Sequence, residues 1–257
     1  MTGARLGVAF GLSLALLAVE GRARAGGDET NALETRHDRG MTSQNFALEI
    51  RVGLYNAQVD SDPALHGATP YAATFGTGLH FEGAMEFDWQ ALRIPDVGTL
   101  GPGISIGYTN ASGIAQRIDN GYPPSAETTT LEILPMYAVA VFRLDTLWRQ
   151  LRIPIVPYAK AGIGMAFWRA SNTVGTSVAP NGVVGEGHTL GSQLAIGVAF
   201  NIGIFDPTSV RQLDESTGIN NTYIFAEYMA ATLDGIAQSH PLLVGSDSAV
   251  AGITVEF

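Results

Sequence analysis

The sequence predicts an all-β protein: one eight-stranded antiparallel transmembrane β-barrel of up-and-down topology. Three observations carry this. Eight segments alternate with period two, the pattern of strands with two unlike faces. The connections between them alternate in length, as when long loops lie on one side of a membrane and turns on the other. Charged residues make up 15% of the 257, against about 25% in soluble domains. Yet after residue 25 no apolar stretch is long enough for a helical span.

The first segment runs from Asn45 to Leu54. Phe46, Leu48, Ile50 and Val52 fall on one face, Ala47, Glu49, Arg51 and Gly53 on the other. The second, Leu79 to Gln90, is the clearest. Leu79, Phe81, Gly83, Met85, Phe87 and Trp89 oppose His80, Glu82, Ala84, Glu86, Asp88 and Gln90. The third, Thr99 to Thr109, sets Leu100, Pro102, Ile104, Ile106 and Tyr108 against Gly101, Gly103, Ser105, Gly107 and Thr109. The others are Thr129 to Arg143, Ile155 to Trp168, Leu190 to Ile202, Thr222 to Thr232 and Ser248 to Phe257. Pro102, Pro135 and Pro157 fall inside segments, where each removes one ladder hydrogen bond, so they mark bulges or strand ends.

Segments 55–78, 110–127, 171–189 and 233–247 read as long polar loops. Ala91 to Gly98, Leu144 to Pro154 and Gly203 to Asn221 read as the shorter turns. The last holds a short helix, with Asp206 as its cap and Pro207 at its first position. Trp148, flanked by Arg149 and Arg152, suits a membrane–water interface. A hairpin hidden in 55–78 or in the fourth connection would raise the strand count to ten.

The ends of the chain agree with a membrane barrel. Arg5 precedes an apolar stretch from Leu6 to Val19, and Ala23-Arg24-Ala25 places small residues for cleavage after Ala25. That is the pattern of a secretory signal peptide over residues 1–25, too short to span a bilayer. Residues 26–44 are polar without periodicity and read as a disordered periplasmic tail. Residues 45–257 are the barrel, and an even strand count puts both its ends in the periplasm. The last strand finishes on Phe257, and a terminal aromatic resembles the carboxy-terminal signal of bacterial outer-membrane barrels. The expected location is the bacterial outer membrane. The expected partners are its lipid and lipopolysaccharide, and the barrel-assembly machinery through the last strand.

Composition excludes several functions. The net charge is −10, and losing residues 1–25 would make the chain more acidic still. Lys160 is the one lysine and the arginines are scattered, so no basic surface for nucleic acid exists. The chain has no cysteine, which removes disulfides, thiolate metal sites and cysteine nucleophiles together.

The stretch Leu151 to Gly164, with Phe142-Arg143-Leu144-Asp145 before it, resembles an outer-membrane β-barrel family known mainly from myxobacterial genomes. Phe46 to Arg51, Glu86 to Gln90, Asp206-Pro207 and Tyr223 to Glu227 resemble it as well. That family has no assigned activity, so the resemblance implies the fold and the membrane only. More broadly the chain is similar to small eight-stranded barrels of the OmpA type.

The face opposite the lipid collects Glu49, Arg51, His80, Glu82, Glu86, Asp88, Glu132, Lys160, Glu227 and Glu256. An eight-stranded interior is just wide enough for side chains to fill, and buried carboxylates must be paired or hydrogen-bonded. The expectation is therefore an ionic network in the lumen, with Arg51 and Lys160 central among the acids. The alternative is a narrow cation path lined by surplus carboxylates, with Gly101, Gly103, Gly107, Gly162, Gly164 and Gly197 leaving room for water. The aromatics Phe81, Phe87, Trp89, Tyr108, Tyr137, Phe167, Phe200, Tyr228 and Phe257 read as lipid-facing girdle residues.

Catalytic and metal-binding patterns are weak. Glu86 and Asp88 are close simply because they alternate along one strand. His37, His66, His80, His188 and His240 are too dispersed for a metal-ligand spacing, with His80 and Glu82 the best pair available. Lipid A deacylases carry a His-x-Ser element, which this chain lacks; His188, Ser192 and Glu186 are a substitute in the wrong spacing. There is no Gly-x-Ser-x-Gly. Asp60 and Asp62 invite a divalent cation near lipopolysaccharide. The expectation is a structural or envelope-interaction protein without catalysis or cofactor. A small-solute channel and a lipid A-modifying enzyme are the alternatives. A soluble periplasmic β-sandwich is a further fold alternative.

Overall fold

In a computed structural model, residues 45–116, 124–179, 182–239 and 241–257 are described. The signal-peptide and tail expectations, with His37 and His240, lie outside them. The eight barrel strands are β1 (Phe46–Tyr55), β2 (His80–Trp89), β3 (Gly98–Gln116), β4 (Pro124–Arg143), β5 (Ile155–Asn172), β6 (Glu186–Asn201), β7 (Asn221–Thr232) and β8 (Ser246–Glu256). Each pairs antiparallel with its chain neighbours, except that β1 pairs with β8 to close the ring. The fold is one closed sheet, not a sandwich, and it has eight barrel strands rather than ten. Two short strands, Leu92–Ile94 and Gly175–Thr176, only extend hairpins.

Closure is tight at the last residue. Phe257 N–H donates to the Phe46 carbonyl at 3.0 Å, and Phe46 N–H returns to the Phe257 carbonyl at 2.9 Å. The Phe257 ring lies 6.1 Å from that of Phe46 and 6.5 Å from that of Phe87, a stack of aromatics on the outer wall.

Alternation becomes an inside and an outside. Ile50, Phe81, Phe87, Trp89, Ile104, Ile163, Leu194, Ile196 and Tyr228 are exposed on the outer wall, with Phe81 at 67% and Ile163 at 70%. An exposed apolar band running round a closed sheet is what lipid solvates and water does not.

The three prolines lie where a missing N–H does least harm. Pro102 sits one residue before the β2–β3 ladder begins at Gly103. Pro135 faces the gap in the β3–β4 ladder between Ile106 and Thr109. Pro157 lies just beyond the last β4–β5 pair, Arg143 with Tyr158.

Strands β3 to β6 are longer than expected, at 19, 20, 18 and 16 residues. A membrane crossing needs about 9–11. The excess lies at the long-loop end, so most of 110–127 and parts of 171–189 are strand rather than loop. Most outward residues there are polar, among them Asn110, Ser112, Thr130, Glu132, Arg169, Ser171 and Glu186, with Ile114 an exposed apolar exception. The edges of this projection are covered, as exposed edges must be to avoid pairing with other chains. Along β6, Gly235 N–H donates to the Leu190 carbonyl at 2.8 Å, and the Gln238 side chain accepts from Leu190 N–H at 2.9 Å. Along β3, the Gln116 amide donates to the Ala73 carbonyl at 2.9 Å.

Two short helices lie in loops and turns: α1 (Pro70–Phe75) and α2 (Thr146–Leu151). The third, α3 (Pro207–Thr217), follows a 3-10 turn at Ile202–Phe205. Asp206 caps α3 as expected, accepting from Thr208 and Ser209 N–H at 3.1 and 3.0 Å. The Ser209 hydroxyl and N–H hold its carboxyl below the usual carboxylate range. A depressed folded pKa means that the stabilisation is present above the unfolded pKa and lost as pH falls through the folded one. Amide protection factors over 208–217, corrected for the intrinsic exchange rate, should therefore fall in acid, while Asp206→Asn should show the lower protection already at neutral pH with no further acid step.

Candidate functional site

The lumen is filled in three layers. Toward the long loops, Tyr55, Tyr71, Leu131, Ile133, Tyr137, Val139, Ala166, Leu233 and Val244 form a buried apolar cluster. Toward the short turns, Val156, Tyr158, Ala199, Tyr223, Phe225 and Met229 form a second, with Trp148 packed against it. Trp148 of α2 is half-buried, its side chain packed against this cluster.

Between the clusters lies an ionic network drawn from five strands. Glu49 and Arg51 come from β1, Glu86 and Asp88 from β2, Arg143 from β4, Lys160 from β5 and Glu227 from β7. All are at most 5% exposed. The Lys160 ammonium donates to Glu49 Oε2 at 2.8 Å and to Glu86, and lies 3.3 Å from Glu227 Oε2. Arg51 donates to Glu86 and Glu227, and is 3.6 Å from Glu49. Arg143 Nη2 donates to Glu49 at 2.7 Å and Asp88 at 2.6 Å. Lys160 also stands 5.1 Å over the Tyr158 ring, and Arg143 5.8 Å from it, close enough for the ring face to attract both cations.

Glu49, Glu86 and Asp88 bring carboxylate oxygens within 4.8 Å of one another, the spacing of a metal cage. The ammonium and guanidinium groups already fill that space, and Glu86 and Asp88 are engaged with cations rather than poised as an acid/base pair.

The other expected lumen residues are placed differently. Glu82 is buried beside a cavity of about 10 Å³, lined also by Arg51, Ser105 and Tyr137. That is the volume of a single water, not a path. Glu256 stands apart at the short-turn end, accepting from Gln90, Tyr223 and Asn221 at 2.8, 3.1 and 3.3 Å. His80 sits at the far end of β2, its ring edge-on to Tyr71 at 6.3 Å.

Glu132 is a correction. It lies on the outer face of the projecting sheet and accepts from the Tyr108 hydroxyl at 3.1 Å. Tyr137 is the matching correction, for it is 5% exposed inside the lumen and not in the girdle. Arg143, which was not anticipated as an interior cation, completes the same shift. All three follow from reading β4 one face out, and a one-residue slip inverts every side chain of a strand. Glu132→Gln should accordingly leave unfolding free energy within about 0.5 kcal/mol of the parent, as for most surface changes, checked by denaturant titration.

Gly103, Gly164 and Gly197 hold protein groups rather than water, whereas Gly107 lines the small cavity beside Glu82. A Cβ on Gly164 would meet the Tyr137 ring at 2.4 Å, and one on Gly197 the Tyr158 ring at 2.4 Å. On Gly103 it would meet the Asp88 carboxylate at 2.2 Å.

Asp60 and Asp62 are spent on backbone. Asp60 accepts from Tyr71 and Ala72 N–H at 2.7 and 2.8 Å, fixing the start of α1, and Asp62 accepts from Ala64 N–H at 2.8 Å. His188 and Ser192 share the outer face of β6. Four residues of strand, about 13 Å, keep imidazole and hydroxyl apart.

Fold and site define a closed, side-chain-filled, eight-stranded barrel with an apolar outer belt. No protein-family model matches the chain, and no curated protein matches it, so the narrower myxobacterial resemblance gains no support. Among solved structures the chain is similar to Ail, the attachment invasion locus protein of Yersinia pestis, solved with the heparin analogue sucrose octasulfate. The identity is 12% and the TM-score 0.42, over 83% of this chain and 97% of that one. It is similar to the N-terminal β-barrel domain of Pseudomonas aeruginosa OprF at 10% identity and TM-score 0.38, over 83% and 98%. It is also similar to the outer membrane enzyme PagL at 12% identity and TM-score 0.38, over 81% and 98%. At such identities no functional residue carries across.

Proposed function

We propose that the chain is an integral β-barrel of the bacterial outer membrane with a structural or envelope-interaction role and no catalysis. The observation that carries this is the apolar belt around a lumen filled from end to end. Lipid is then the natural solvent of the outer wall, and lipopolysaccharide the natural neighbour of the projecting β3–β6 sheet. The closing strand β8 is the segment the assembly machinery would engage. A filled lumen disfavours the channel reading, and the distance between His188 and Ser192 disfavours the lipid A enzyme.

The test is gel mobility of outer-membrane protein, unboiled against boiled. A folded barrel shifts on heating; a protein found soluble in the periplasm without a shift overturns the proposal. The channel reading makes its own demand in a planar bilayer. The parent and Glu86→Gln should both show no unit conductance steps, and steps that change with the substitution would restore that reading.

A further inference from the structure

Glu82 is the lumen acid that the ion network leaves out. It is 4% exposed, yet among the described residues its carboxylate makes no ion pair and accepts no hydrogen bond. The Arg51 guanidinium, which borders the same cavity, donates to Glu86 and Glu227 instead. A buried carboxylate left without a donor is costly.

Its surroundings are specific. Glu82 faces the cavity of about 10 Å³, and two glycines make that space. A Cβ on Gly107 of β3 would stand 2.9 Å from Glu82 Oε1, and one on Gly53 of β1 would stand 3.5 Å from Glu82 Oε2. Gly53 lies opposite Glu82 in the β1–β2 ladder, and Gly107 lies opposite Ala84 in the β2–β3 ladder. Ser105 and Tyr137, which pair across β3 and β4, line the cavity too. Tyr137 is 5% exposed, and its buried hydroxyl has no hydrogen-bond partner among the described residues.

An acceptor without a donor and a donor without an acceptor thus border one small space, and they do not bond each other. Cavities that stay dry are apolar, whereas a polar one of this size holds a water with about two to four partners. A carboxylate only accepts and a phenol hydroxyl can donate. One water that donates to Glu82 and accepts from Tyr137 therefore satisfies both. The Ser105 hydroxyl, able to donate or accept, is a third partner. A cation is the poorer fit, because the Arg51 guanidinium borders the same space and like charges repel.

We propose that this cavity is the binding site of one resident water, bridging Glu82 of β2, Ser105 of β3 and Tyr137 of β4. The water gives the unpaired acid its donor and ties three consecutive strands together inside the lumen. The site rests on the closed lumen alone, not on what solvates the outer wall.

The first test is a crystal structure of the whole barrel at a resolution that shows ordered waters. One density peak should lie about 2.5–3.0 Å from a Glu82 oxygen and from the Tyr137 hydroxyl. No density, a direct Glu82–Tyr137 hydrogen bond, or a peak ringed by about six oxygens as a metal ion is overturns the proposal. Solution NMR of the folded barrel is the second test. The Gly53 and Gly107 hydrogens that stand in place of a Cβ point at Glu82, so both should show cross-peaks to a long-lived water. Tyr137→Phe should keep them, because Glu82 and Ser105 still hold the water. Their loss in that variant traces them to the tyrosine hydroxyl and overturns the proposal. Gly107→Ala puts a methyl group in the space and should abolish the cross-peak at Gly53, while the heat-dependent gel shift persists. A cross-peak that survives the methyl group places the water elsewhere and also overturns the site. Should Gly107→Ala fail to fold, the parent crystal and Tyr137→Phe still decide.

Discussion

Lys160→Met should destabilise the barrel by about 3–5 kcal/mol, the effect of removing one partner from a buried ion cluster. The ammonium is fully buried and touches Glu49, Glu86 and Glu227. Methionine keeps the stem and the volume and removes only the charge and its donors. Three carboxylates would then share Arg51 and Arg143, and Glu86 and Glu227 would each keep Arg51 alone. The measurement is the guanidinium midpoint of unfolding in detergent, followed by the heat-dependent gel shift. A loss no greater than that of Glu132→Gln would mean that water reaches the network and screens it. Arg143→Met should cost at least as much as Lys160→Met, because it leaves Asp88 with no cation, although Glu49 keeps Lys160.

Why the interior is ionic at all follows from geometry. Eight strands leave a lumen just wide enough for side chains to fill, and the sequence is too polar for a plain apolar core. Every second residue must point inward, and β1 and β2 send Glu49, Arg51, Glu82, Glu86 and Asp88 there. Buried charges of one sign would be prohibitive. Cations from β4 and β5, on the far side of the lumen, therefore have to meet them. Since the partners come from separate strands, the network forms only when the sheet closes in the right register. Its selection value would lie in specifying that register, since net stability from buried ion pairs is small.

Much of this was legible in the sequence. On β2, the carboxylates Glu82, Glu86 and Asp88 alternate with the bulky apolar residues Phe81, Met85, Phe87 and Trp89, interrupted only by Gly83 and Ala84, so its faces were unambiguous. On β4 both faces are apolar: Leu131, Ile133, Tyr137, Val139 and Val141 oppose Leu134, Met136, Ala138, Ala140 and Phe142. There Glu132 was the polar cue followed, and it pointed the wrong way because it stands above the belt, where outward residues are polar. Arg143 carried the contrary cue, an arginine on the same face as Tyr137, and a paired cation was the missing partner for a lumen with five inward acids on β1, β2 and β7. The projecting ends of β3 to β6 were unreadable for a related reason. Beyond the belt the outer face meets water and the inner face small residues such as Ala111 and Gly113, so the contrast that marks a membrane strand disappears.

Gly164→Val should be strongly destabilising, and Tyr137→Ala should make it tolerable. The Tyr137 ring from β4 lies across Gly164 of the neighbouring strand, with ring carbons 2.4 and 2.6 Å from where a Cβ would stand. Nothing real sits that close, so the ring or the strand must move. Overpacking of this kind costs about 1–3 kcal/mol or more, and the ring has little room, since Tyr137 is buried among Ile133, Val139 and Ala166. Removing the ring alone opens a cavity and should cost about 3–5 kcal/mol. With both changes, valine grows into the space the ring has left, so the pair should be less harmful than the two losses added. A double-mutant cycle on unfolding free energies reads this directly, with coupling of about 1–3 kcal/mol expected for residues in contact. Additive losses would mean that Tyr137 does not fill the space over Gly164. The same cycle at Gly197 and Tyr158 probes the opposite end of the lumen, where the ring also faces Lys160 and Arg143. Coupling there should be weaker in the Lys160→Met background, because one of the cations that hold the ring in place is gone.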